Sequence, residues 1–192
     1  NFCFKKRNLS TTMKKLLLQF TFLFAVFSAS SQVKEKGAFF NSNLHLTFAL
    51  NENYVLFDKE DGEYLLDFSA IFIRSGFGYR FNKRIESSIN FGLDFHLRFR
   101  IQAIPAYLNL QYNLIVNEDF NFFINGSYGN LWKPSSNFEK GKYHGFGIGF
   151  QGNNSDSRTN VVFRLDFHRK RIAYFKNGNL DSVSLGVGFT IF

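Results

Sequence analysis

Asp166 and His168 stand two residues apart in the run F-R-L-D-F-H-R-K-R. In an extended chain that spacing puts both side chains on one face. A carboxylate beside an imidazole is two thirds of a nucleophilic hydrolase, in which the imidazole takes the proton from a hydroxyl as it attacks. The hydroxyl is the missing part. Two residues beyond His168 stands Lys170, so Ser182 or Ser184 on the following segment would have to supply it. The competing reading makes His168 and Asp166 members of a hydrogen-bonded network that fills the protein interior.

A second set of charges has the same two-residue spacing. Glu86, Asp94, His96, Arg98 and Arg100 share a parity in one segment, Arg74 and Arg80 in the segment before it, and Arg164 and Asp166 in a later one. On a wide barrel such charges would select solutes. In a narrow one they would pair and fill the space, because buried charge is tolerated when it is paired. The expected lumen network is therefore Arg74, Arg80, Glu86, Asp94, His96, Arg98, Arg164 and Asp166. A third set, Arg169, Lys170, Arg171 and Lys176 with Tyr174 and Phe175, combines cations and aromatics and suits the phosphates of lipid headgroups through charge-assisted hydrogen bonds. The histidines and acids show no metal-binding spacing, and no metal or other cofactor is expected.

The elements that must hold these groups are strands. In Ile85–Ile101 the odd positions are apolar apart from Ser87, and the even positions are polar or glycine. Alternation of that kind is one strand with two incompatible faces. The same pattern predicts eight strands, over about Gly37–Leu50, Tyr64–Phe81, Ile85–Ile101, Ala106–Val116, Phe120–Asn130, Lys142–Gln151, Thr159–Arg169 and Leu180–Phe192. Asn82–Arg84, Asn117–Asp119 and Gly152–Ser157 read as short turns, and Asn51–Glu63, Leu131–Gly141 and Lys170–Asn179 as longer loops. The third-to-fourth connection, Gln102–Pro105, breaks that long series. Short turns at one end and long loops at the other are the habit of a transmembrane β-barrel. A soluble β-sandwich also alternates, but it has little use for 28 Phe. The expected fold is all-β, an eight-stranded antiparallel up-and-down transmembrane β-barrel. Strand three, at 17 residues, exceeds the 9–11 that a span needs, so Arg98 and Arg100 are expected on a rim raised above the lipid. Tyr79, Phe81, Phe120 and Phe150 are placed in one interfacial girdle, with Trp132, Tyr143 and Tyr174 near the outer ends.

The amino-terminal region alters the charge argument. Met13 opens a basic stretch followed by an apolar Leu16–Phe27 segment and a small-residue end, the anatomy of a secretory signal peptide. The expected organisation is a non-native upstream extension over 1–12, a signal peptide over 13–31 with cleavage before Gln32, and a barrel over 32–192. The formal charge of +8 then falls to +3, since Lys5, Lys6, Arg7, Lys14 and Lys15 leave 18 cationic residues against 15 acids. Nucleic-acid binding loses its electrostatic support. Cys3, the one cysteine, falls outside the expected mature chain, which excludes disulfides and thiolate chemistry there.

Gln32–Phe192, with its eight alternating segments and its end G-V-G-F-T-I-F, resembles the small outer-membrane β-barrel proteins of Gram-negative bacteria. Ile104–Asn113 and Gly145–Phe150 are similar to strands of such barrels in Bacteroidetes. The resemblance implies outer-membrane localisation after export, contact with outer-membrane lipid and lipopolysaccharide, and recognition of the Phe192 end by the barrel-assembly machinery. One departure is that Val187, Phe189 and Ile191 are opposite in parity to Phe192. The run around His168, with N-G-N-L-D-S at Asn177–Ser182, faintly resembles the lipid A 3-O-deacylases, eight-stranded esterases whose catalytic His is followed two residues later by Ser. Here Lys170 stands in that place and Arg171 where Asn is expected. The sequence thus favours a monomeric, non-enzymatic barrel with a structural, adhesive or lipopolysaccharide-interacting role. A deacylase-like hydrolase and a narrow solute pore stand as alternatives.

Overall fold

The computed structural model describes residues 36–50, 66–97, 100–134, 140–153, 157–171 and 178–192. Eight strands follow one another, β1 (Gly37–Leu50), β2 (Leu66–Arg80), β3 (Ile85–His96), β4 (Ile101–Val116), β5 (Phe120–Trp132), β6 (Lys140–Gly152), β7 (Thr159–Arg171) and β8 (Asn179–Ile191). Each is antiparallel to the next, and β1 pairs with β8 to close the barrel. Closure gives every strand two partners and leaves no open edge. No helix among the described residues is long and apolar enough to cross a membrane.

The period-two pattern decides which side chains turn outward. Phe77, Ile89, Leu108, Phe146, Phe163 and Leu185 are each more than half exposed, whereas Asn43, His45, Arg74, Asp94, Asn125 and Asp166 are buried inside. This is a soluble protein turned inside out. In water, each half-exposed ring or branched chain would forfeit on the order of 1 kcal/mol of burial, and there are dozens. A lipid surround would remove that cost, and the closed ladder satisfies the backbone groups that lipid could not. Around the end that carries the short turns, Tyr79 and Phe81 lie 5.3 Å apart and Phe122 and Phe150 4.9 Å apart. Tyr79, Phe81, Phe120 and Phe150 all face outward there, as the sequence pattern predicts.

Eight strands enclose space that side chains can fill, and the lumen glycines show how tight the fit is. A Cβ on Gly147 would stand 2.0 Å from Asp166 Oδ1, and one on Gly149 would stand 2.4 Å from Phe123 Cζ. Glycine at these positions lets the opposite side chains reach the barrel axis.

The third hairpin corrects the sequence reading. β3 has 12 residues rather than 17, and Ile101 opens β4, which has 16. The chain reverses over Leu97–Arg100, where Arg100 N donates to Leu97 O at 3.4 Å and Arg100 adopts φ 51°. The apolar parity of Leu97, Phe99 and Ile101 runs across this turn by coincidence, which disguised it. Ile101 faces the lumen, 7% exposed, and Arg100 belongs to the turn beyond the end of strand three at His96. Arg98 lies outside the described residues. Pro105, expected in the connection, sits inside β4 opposite Leu131 of β5. The β3–β4 ladder skips from Phe91–Ala106 to Asp94–Ala103, the interruption that a residue without an N–H requires.

Candidate functional site: the lumen network

Arg74 is the hub. β2 turns it inward, and its register partner on β3 is Gly92, whose missing Cβ would lie 2.8 Å from Arg74 Cγ. The guanidinium donates to Asp94 at 3.1 Å and 2.9 Å from Nη2 and to the Tyr143 hydroxyl from Nη1. It stacks on the rings of Phe72, at 4.7 Å, and Tyr143, at 4.8 Å. Asp94 also takes Lys170 Nζ at 2.6 Å. Lys170 reaches His96 Nε2 at 2.7 Å and lies 3.8 Å from the centre of the Phe72 ring. One carboxylate therefore binds two buried cations, each of which also has an aromatic face, a geometry that offsets desolvation.

From Arg74 the network continues across the barrel. The guanidinium can only donate, so the Tyr143 oxygen accepts from it, and the same hydroxyl lies 2.7 Å from His168 Nδ1. His168 Nε2 is hydrogen-bonded to Ser184 Oγ at 2.6 Å, and Ser184 Oγ to His45 Nδ1 at 3.3 Å. His45 Nδ1 lies 3.6 Å from Asp166 Oδ2. Arg164 grips both oxygens of Asp166, at 2.6 Å and 2.8 Å, and Asn125 donates to the same carboxylate at 3.3 Å. Nearer the short-turn end, Arg80 and Glu86 are register partners and pair at 2.6 Å. The Arg80 guanidinium lies 4.0 Å from the centre of the Phe192 ring. Phe192 also packs on Phe39, 5.7 Å away, in keeping with its opposite parity to the outward-facing Ile191.

The expected lumen residues Arg74, Arg80, Glu86, Asp94, His96, Arg164 and Asp166 thus all point inward, as three ion-paired groups with His96 attached through Lys170. The headgroup set does not hold together. Lys170 was expected outside with Arg169 and Arg171, yet it is 0% exposed and inside the barrel. β7 continues through Arg171, so strand alternation reaches these cations: Arg169 and Arg171 turn out and Lys170 turns in. Lys176, with Tyr174 and Phe175, lies outside the described residues. Tyr143 is likewise corrected from an outer-end aromatic to a lumen residue, 1% exposed. Sequence reasoning also passed over Phe72, Tyr107 and Phe123 in the lumen. Parity was the available signal, since Tyr143 matches Gly145 and Gly147, and Phe72 matches Arg74.

The geometry bears on hydrolysis directly. Ser184 does meet His168, at 2.6 Å, the contact a hydroxyl nucleophile makes with a general base. Asp166 lies beside His45 rather than His168, and both Ser184 and His168 are buried. The donor atoms of His45, Asp166 and His168 all fall within 4.8 Å of one another, a spacing that could hold a metal ion. Those atoms are already engaged, by the Ser184 hydroxyl between the imidazoles and by the Arg164 fork on Asp166. A small polar cavity bordered by Asn41, Asn43, Glu86, Asn90, Gln151 and Arg164 has room for about one or two waters.

No protein-family model matches the chain, and no curated protein does. Solved structures do resemble it. Neisserial surface protein A superposes with a TM-score of 0.60 at 9% identity, covering 82% of this chain and 99% of that one. The N-terminal β-barrel domain of Pseudomonas aeruginosa OprF gives 0.54 at 12% identity, over 82% of this chain and 98% of that one. Both are eight-stranded outer-membrane barrels of Gram-negative bacteria, and at such identities the likeness concerns the fold. The similarity to deacylases rests on the run around His168 and on Asn177–Ser182, and these structural neighbours do not support it. The chain has the fold of a small outer-membrane β-barrel, an eight-stranded antiparallel sheet closed on itself with an apolar outside and a polar inside.

Proposed function

We propose that the protein is a non-enzymatic outer-membrane barrel whose lumen is closed by its own side chains, so that it acts through its outer surface in a structural, adhesive or lipopolysaccharide-interacting role. The observation that carries this reading is the Asp94 cluster, in which Arg74, Lys170 and Tyr143 meet across the barrel. These groups come from β2, β3, β6 and β7 and occupy the path that a solute would need. Export and delivery to the outer membrane fit the alternating exterior and the fold of the structural neighbours. Recognition of the Phe192 end by the assembly machinery fits a final strand that runs to Ile191, and closure without a free edge suits a monomer.

Conductance across a planar bilayer tests the reading. The purified barrel is expected to insert without opening a lasting conductance, and stable ohmic channels would replace the closed-lumen account with the pore. One observation favours the hydrolase as a second reading, the 2.6 Å contact between His168 and Ser184. Mass spectrometry of lipid A from cells with the protein and with its Ser184→Ala variant separates the two. An unchanged acyl pattern is expected, and a Ser184-dependent loss of one acyl chain would establish the enzyme.

A further inference from the structure

Among the strand side chains that the structure describes, the charged groups that face outward gather in one place. They are Lys140 and Lys142 on β6, Arg169 and Arg171 on β7 and Asp181 on β8. The register sets them side by side at the end of the barrel away from the short turns. Lys142 is the cross-strand partner of Arg171, and Arg169 is the partner of Asp181. Asp181 is the one carboxylate of the group, and Arg169 holds it in a two-point grip at 2.8 Å and 2.6 Å. Lys142 is anchored to Asn130 Oδ1 at 3.0 Å, its ammonium 5.8 Å from the centre of the Tyr128 ring. Along the same strands the outward face then turns apolar, at Phe167 on β7 and, beyond His144, at Phe146 on β6.

We propose that Lys142 and Arg171, flanked by Lys140 and Arg169, form a binding site for the phosphate of a membrane lipid headgroup. This rests on the membrane reading above and gives its lipid contact a definite place. The excess of positive charge calls for an anion, and a phosphate monoester supplies the oxygens that guanidinium and ammonium groups take by charge-assisted hydrogen bonds. The position selects a lipid as its source. The cations lie directly beyond the apolar band, where a phosphate carried on acyl chains is held while the chains cover Phe146 and Phe167. The site differs from the linear cluster suggested by the sequence, because Lys170 is inside the barrel and Lys142 joins from the neighbouring strand.

The full barrel, folded in phosphatidylcholine vesicles, can be titrated with lipid A carrying two phosphates and with the same lipid A after dephosphorylation. Trp132, the single tryptophan, is the register partner of Lys140 and serves as the fluorescent reporter. The phosphorylated lipid is expected to bind at least about tenfold more tightly than the dephosphorylated one. The double variant Lys142→Gln, Arg171→Gln should lose that preference, while Arg84→Gln, at the opposite end, should keep it. Equal affinity for the two lipids, or an undiminished preference in the double variant, would overturn the site. Failure of the membrane reading would show separately, as a protein that does not enter phosphatidylcholine vesicles before any lipid A is added.

Discussion

Replacing Asp94 by Asn removes one negative charge and leaves the shape of the site. Its consequence follows from the geometry around it. Asp94 is 0% exposed and binds both Arg74, at 2.9 Å, and Lys170, at 2.6 Å. An asparagine keeps one acceptor oxygen but presents an amide to the second cation. Removing one member of a buried ion pair costs about 3–5 kcal/mol, because the other member is left desolvated and uncompensated. Here two cations share the carboxylate, and the Phe72 ring beside each of them stays in place in the variant. A loss of about 4 kcal/mol, the middle of that range, is the expected result. The assay is reversible unfolding in urea of the barrel in phospholipid vesicles, followed by Trp132 fluorescence. With a denaturant slope of about 2 kcal/mol/M, the midpoint should fall by about 2 M. A second variant checks the mechanism: replacing Asp94, Arg74 and Lys170 together by Leu, Met and Met removes all three charges and should recover most of the loss. A midpoint that moves by less than about 0.3 M on Asp94→Asn would refute the argument that the ion pairs hold the lumen. A triple variant no more stable than the single one would refute the electrostatic origin.

Four further substitutions separate the roles of lumen, lipid face and turn. Gly147→Ala puts a Cβ against the Asp166 carboxylate and should cost about 1–3 kcal/mol in the same unfolding assay, whereas Gly126→Ala, whose Cβ would meet nothing within 4 Å, should cost much less. Phe163→Arg, at a position 59% exposed on the outer face, should destabilise the vesicle-embedded barrel by about 2–4 kcal/mol; a neutral or more soluble, stable variant would contradict lipid contact there. Arg100→Gly relaxes a residue at φ 51° and should stabilise the barrel by up to about 1 kcal/mol, measured as a raised urea midpoint.

The strands were legible because two solvents of opposite character act on each of them. In β8, Val183, Leu185, Val187 and Phe189 alternate with Ser182, Ser184, Gly186 and Gly188, and a slip of one residue would expose the polar set to lipid. The same parity placed Arg74, Asp94, Arg164 and Asp166 in the lumen. It misled at the third hairpin, where Leu97, Phe99 and Ile101 keep the beat through a turn, and the reversal depends on one left-handed residue, Arg100. Lys170 and Tyr143 were misplaced for a different reason. Each is of a residue type at home in an interfacial belt, yet strand parity turns it inward. Pairing was the illegible part. That Tyr143 of β6 links Arg74 of β2 to His168 of β7 depends on side chains that meet across the axis of the closed sheet, a proximity that no spacing along the chain encodes.

The central claim is that the apolar face of this barrel meets lipid. Flotation tests it most directly: the purified chain is folded in the presence of phosphatidylcholine vesicles, washed at high salt and centrifuged through a density gradient. The fold described above predicts that the protein rises with the vesicles and stays with them through the wash. A folded protein left at the bottom of the gradient, soluble and monomeric without detergent, would contradict it.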